Sequence, residues 1–282
     1  MLLAVATSSF RDQLRSCSAG RADPDEGVAP DGTIVTGARR DRVPAAFEPV
    51  VHAAVAEVGA VDSGVQLYLY GSVATGRARI GESDVDLLSV GLPADAAEEI
   101  GRELSHRFRA LCRAVEVGAA RPEDVVGSRD EAYGLRVFLR HYCVQLAGEP
   151  RTDLAPAYPA DVRAARGFNG DIAAHARRWR EALDRGDDLS RVGNRLARKT
   201  LLAVASLVSV HDGIWTTDRA GAARRWAAID PASAPDMRVL VDWAEGPASA
   251  SLQDVERVLD GTVARVVRAF TETIGLWSGD RA

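Results

Sequence analysis

The chain reads as an α/β (α+β) domain followed by an all-α one, on three observations. Short alternating apolar runs at 65–70, 84–92 and 114–120 are interleaved with longer stretches of helical spacing. A Pro-rich stretch, EPRTDLAPAYPAD (149–161), interrupts that pattern. Beyond about residue 160 only helical periodicity remains. The expected organisation is therefore a poorly ordered segment over 1–43, an α/β domain over 44–150 and a helical domain over 151–282.

The first of these, ending in SAGRADPDEGVAPDGTIVTGARRDRV (18–43), is rich in Gly, Asp, Arg and Pro and lacks periodicity. The stretch 44–61 has helical spacing, with Pro44 suited to a first turn. VQLYLY (65–70) alternates and is rich in aromatic residues, the pattern of a strand, and DVDLLSVGL (84–92) reads as a second. Residues 94–112 follow as a helix, AVEVGAA (114–120) as a third strand, and 130–148 as a helix closed by Gly148. The second half reads as helices over 160–185, 188–212, 218–229, 232–246 and 251–276.

Composition narrows the function classes. A length of 282 residues suits one large domain or two ordinary ones. The net charge of −5 lacks the basic excess of a nucleic-acid binder. No apolar stretch is long enough for a membrane span, and MLLAVATSSFRDQL lacks the basic start of a signal peptide, so a cytoplasmic enzyme is expected. Cys17, Cys112 and Cys143 are widely spaced and show no metal-site pattern.

The chemistry concentrates in LYLYGSVATGRARIGESDVDLL (67–88). Gly71 permits a sharp bend and close approach of an anion, and Ser72 adds a hydroxyl. On a strand, residues two apart share a face, so Asp84 and Asp86 set their carboxylates side by side. Paired carboxylates repel unless a cation lies between them, and hard divalent ions such as Mg²⁺ are the natural partners. A phosphate cradle beside such a pair suits phosphoryl or nucleotidyl transfer. Glu116, between Val115 and Val117 on the next strand, is the candidate third acid and proton acceptor; the other reading puts it on the solvated face of an edge strand. Glu123 and Asp124 follow Pro122 in a loop and are worse placed. Ser83 serves either as a phosphate contact or as the cap of a turn.

The order Gly-Ser, eleven residues, Asp-Val-Asp-Leu resembles the signature of the DNA-polymerase-β-like nucleotidyltransferases. The resemblance implies a mixed sheet, ATP as co-substrate, and two Mg²⁺ ions on Asp84, Asp86 and Glu116, with Gly71 and Ser72 on the phosphates. With its helical second half the chain looks closest to the aminoglycoside adenylyltransferases that modify streptomycin and spectinomycin. LRHYCVQLAGEP and ARKTLLAVASLVSVHDGIWTTDRAGAARRWA are similar to the corresponding helices there. The implied reaction moves AMP to a hydroxyl of a small-molecule acceptor. A rival reading is a nucleotidyltransferase that acts on a partner protein, as in toxin–antitoxin pairs.

Two features bear on substrate. Lys199 is the sole lysine among 35 Lys and Arg residues. It reads either as a surface side chain or as an ammonium on the triphosphate. Residues 177–199 carry eight basic groups against four acids, an excess of four positive charges. Aminoglycosides are polycations and call for acids, so this excess favours a nucleotide or an anionic acceptor. Asp171, Asp242 and Glu245 are the acids that could offset it. His141 and His211 read as satisfied helix residues, and Trp179, Trp215, Trp226 and Trp243 as helix-packing aromatics, with stacking of one on a base or a substrate ring as the other reading.

Overall fold

The structure is a computed structural model and describes residues 23–246 and 250–278. The start of the expected poorly ordered segment, with Cys17, lies outside the described residues. From residue 23 onward that stretch is structured: β1 (Gly27–Val28) pairs with β2 (Ile34–Val35), and Ile34 is buried. Contacts divide the chain into two compact units. The first comprises 23–25, Val35–Gly127 and Leu135–Tyr158; the second comprises Glu26–Ile34, Ser128–Gly134 and 159–278. The division after Tyr158 falls past the position expected from composition, and two earlier segments cross into the helical unit.

In the first unit, α1 (Glu48–Val61) leads into β3 (Gln66–Tyr70), and β4 (Val85–Val90) returns antiparallel to it. The helix α2 (Ala94–Arg107) then crosses over to β5 (Val115–Ala120), which lies parallel to β4. A parallel neighbour requires such a crossover, because a tight hairpin can only reverse the chain. After α3 (Asp130–His141), β6 (Val144–Ala147) adds to the far side of β3, giving a mixed sheet in the order β5-β4-β3-β6.

Alternation sorts the strand residues onto two faces. Leu67, Leu69, Val85, Leu87, Val115 and Val117 join one apolar core with Val50, Val51 and Val58 of α1 and Ile100 and Leu104 of α2. The opposite face carries Tyr68, Tyr70, Asp86, Leu88 and Glu116. The Phe138 ring of α3 packs edge-on against Tyr70, at 5.1 Å between centroids.

The strand β6 corrects the sequence reading, which ran one helix through to Gly148. The segment CVQLA alternates over only three residues, Val144 to Leu146, too few to separate it from a continuing helix. Its extended form comes from pairing with β3, a tertiary contact that outweighs local preference.

The second unit is built on α6 (Leu189–Asp212), about 36 Å of helix. Asp188 caps it by accepting from the Arg191 N–H at 2.8 Å, and Gly213 ends it in the left-handed conformation. Around it pack α4 (Val162–Asn169), α5 (Ile172–Asp184), α7 (Arg219–Ile229), α8 (Ala234–Glu245) and α10 (Ala264–Thr273). The short α9 (Leu252–Val258) joins α10 through a wide π turn over Leu259–Val263. The helix expected over 160–185 is broken at Gly170. A side chain there would overlap the Trp277 indole, whose Nε1 donates to the Arg166 carbonyl at 2.7 Å. Among the described residues no helix is long and apolar enough to cross a membrane.

Candidate active site

Asp84 directly precedes β4 and Asp86 is the second residue of that strand. Both carboxylates are withdrawn from water, at 3% and 0% exposure. In the parallel register Asp86 stands opposite Glu116 of β5, and in the antiparallel register opposite Tyr70 of β3. Glu116 is half-buried between the buried Val115 and Val117. Strand pairing therefore brings Asp86 and Glu116 together on the sheet face away from the apolar core.

Gly71 follows β3 with φ +73°, in a helical turn over Gly71–Ala74. That backbone conformation is strained for any residue with a Cβ. A Cβ there would also overlap the Asp86 carboxylate. The bend therefore brings main chain against Asp86, where a side chain would otherwise fill the space. Ser72 has a buried hydroxyl with no hydrogen-bond partner among the described residues. The Ser83 hydroxyl instead accepts from the Arg79 N–H at 2.9 Å, and the Ser83 N–H donates to the Arg79 carbonyl at 3.0 Å. It thus closes the turn that delivers Asp84 to the strand.

One charged side chain beside these acids escaped the sequence reading. The Arg113 guanidinium grips Asp84 with a fork: Nε donates to Oδ1 at 2.9 Å, and Nη2 forms an ion pair with Oδ2. The hydrogen bond to Asp84 raises the Arg113 pKa further, partial burial opposes the rise, and the charges of Asp84, Glu116 and Asp86 add to it. All three acids thus act on one guanidinium. No periodicity marks Arg113, which lies in the loop ahead of β5, so spacing alone had no means of finding it.

Among the described residues, no three Asp, Glu, His or Cys side chains converge on a common metal position. In chemical type the donors nevertheless suit Mg²⁺. They are hard carboxylate oxygens on one face, next to a glycine bend, and one of them is neutralised by a cation.

Lys199 lies in the helical unit and is 4% exposed. Its ammonium is 2.7 Å from Asp171 Oδ1, and it donates to Asn169 Oδ1 at 3.0 Å and to the Phe168 carbonyl at 3.2 Å. His175 Nε2 is 2.9 Å from the other Asp171 oxygen, and its ring stacks on Trp179. Burial pushes the Asp171 carboxyl up, but Lys199 and His175 together hold it well below the usual carboxylate range. The surface-lysine reading is thus replaced by a buried network. Asp171, next to the first turn of α5, and Lys199 on α6 meet only through helix packing, which no spacing in the sequence marks.

The positive excess over 177–199 is partly answered within the same unit. Arg180 pairs with Asp260 and lies 3.9 Å from Glu256, and Lys199 pairs with Asp171. His141 accepts from the Tyr158 N–H at 2.9 Å, and burial, aided by the charge of Arg140, pushes its pKa down to about 4. Trp179, Trp215 and Trp243 are buried packing residues, as expected.

No protein-family model matches the sequence, and no curated protein matches it. Among solved structures, the chain is similar to a spectinomycin adenyltransferase from Enterococcus faecialis determined with ATP and spectinomycin. The match has a TM-score of 0.45 at 11% identity and spans 78% of this chain and 99% of that one.

Proposed function

We propose that the protein is a nucleotidyltransferase that moves AMP from ATP to a hydroxyl of a small-molecule acceptor. The observation that carries this reading is the pairing of Asp86 with Glu116 across β4 and β5, beside Asp84 and against the Gly71 bend. An acid pair and a third carboxylate next to a side-chain-free bend is an arrangement suited to an anionic, metal-bound substrate. Mg²⁺ held by Asp84 and Asp86 would neutralise charge on the transferred phosphoryl group. Glu116 would accept the proton of the hydroxyl that attacks the α-phosphorus, as the α–β phosphoanhydride bond breaks and pyrophosphate leaves. Ser72 would donate its hydroxyl to a phosphate oxygen, and Gly71 would let the main chain approach it. The protein would contribute positioning and charge compensation, with no covalent intermediate required. The internal partners of Lys199 favour a packing role for it over a triphosphate contact.

The test is incubation with labelled ATP, Mg²⁺ and a panel of aminoglycosides, other hydroxyl compounds and candidate proteins. Mass spectrometry should detect a gain of one AMP unit on a small molecule. Transfer to a protein instead would select the rival reading. Asp86→Asn should abolish the transfer while the fold persists by circular dichroism. Activity within a few-fold of wild type would overturn the assignment.

A further inference from the structure

The fork between Arg113 and Asp84 joins two groups of opposite accessibility. The Arg113 side chain is 64% exposed, whereas that of Asp84 is 4% exposed. The guanidinium can withdraw into water at little cost, while the carboxylate stays buried and requires a positive partner. Meanwhile the backbone of Arg113 is fixed beside its target. Its N–H donates to the Ser83 carbonyl at 3.0 Å, and the Val85 N–H donates to the Ala114 carbonyl at 2.9 Å. The charge therefore stays tethered near Asp84 even when its tip is free.

We propose that Arg113 is a built-in counter-cation that competes with a divalent metal ion for Asp84, so that the metal binds by displacing it. This inference rests on the reading of Asp84 and Asp86 as cation ligands. Both Asp84 oxygens are engaged by the fork, which leaves the carboxylate poorly placed to coordinate, and a second positive charge at that distance repels a dication. The metal-free protein is then kept intact by the guanidinium, which covers a buried charge. Arg113 acts here as a positioning residue, since its effect reaches the chemistry through Asp84.

The test is calorimetric titration of Mn²⁺ into the full-length, EDTA-treated protein without nucleotide. Arg113→Gln should bind Mn²⁺ at least tenfold more tightly than wild type. Arg113→Lys, which keeps the charge without the fork, should fall between them, and Asp84→Asn should lose binding. Metal-free Arg113→Gln should also melt below wild type, and added Mn²⁺ should raise its melting temperature more than that of wild type. Equal or weaker affinity in Arg113→Gln would overturn the inference while leaving the metal reading in place. Binding by neither protein at millimolar Mn²⁺ would overturn both. Should Arg113→Gln fail to fold, Arg113→Lys decides, and an affinity equal to wild type counts against the competition.

Discussion

Replacing Lys199 with Met removes the positive partner of a carboxylate that is 2% exposed. At an effective dielectric constant near 20, charges 2.7 Å apart attract by about 6 kcal/mol, offset by several kcal/mol for desolvating the ammonium. The stranded Asp171 has two escapes. Taking a proton itself costs about 4 kcal/mol at pH 7, given an ordinary carboxyl pKa near 3.9. Protonating His175, already 2.9 Å away, costs under about 1 kcal/mol at pH 7 and about 2 kcal/mol at pH 8, given an ordinary imidazole pKa near 6.5. The second route is cheaper and retains an ion pair. The expected loss is therefore about 2–4 kcal/mol at pH 7, growing by about 1 kcal/mol at pH 8. Urea titration at the two pH values measures this, and melting should fall by roughly 5–15 °C. The double variant Lys199→Met/Asp171→Leu, which removes both charges, should recover most of the loss. A single-variant cost below about 1 kcal/mol at pH 8, or a double variant no better than the single, would refute the argument. A raised KM for ATP with unchanged stability would instead restore the triphosphate role expected from the uniqueness of this lysine.

Gly71→Ala should cost about 1–2 kcal/mol through the positive φ and lower transfer activity at least tenfold, because the new methyl meets Asp86; melting and the AMP-transfer assay check both effects. His141 is held neutral in the fold, with a pKa of about 4 against 6.5. Between those values the unfolded chain binds the extra proton, so this group adds stability above pH 6.5 and loses it as the pH falls toward 4. The full linkage is about 3 kcal/mol, and solvent screening at this half-buried ring reduces it to roughly 1–2 kcal/mol. About half of that falls between pH 7 and 5, so the unfolding free energies of wild type and His141→Gln from urea titration should differ by roughly 0.5–1 kcal/mol in their response to that change, and parallel profiles would refute it.

The strands at 66–70, 85–90 and 115–120 were legible because one of their faces packs on apolar helices, which forces alternation. Their side-chain parity also placed Asp86 and Glu116 correctly relative to the core. The fourth strand was not legible: Val144–Ala147 gains its form only from β3. Nor was the close packing of Trp277 at the Gly170 break, since the two are more than a hundred residues apart. Arg113 and the Lys199 network share that cause. A side chain's partner across space leaves no periodic mark, and the uniqueness of Lys199 hinted at importance without indicating burial.

Because β4 and β5 run in the same direction, Asp86 meets Glu116 only after the intervening helix has folded back over the sheet. During synthesis the acids at 84 and 86 emerge about thirty residues before their third companion. A truncated chain that stops short of residue 115 would carry the signature motif and lack the site. The constellation is therefore a product of long-range docking, and slow closure of that loop would delay competence well beyond the appearance of secondary structure.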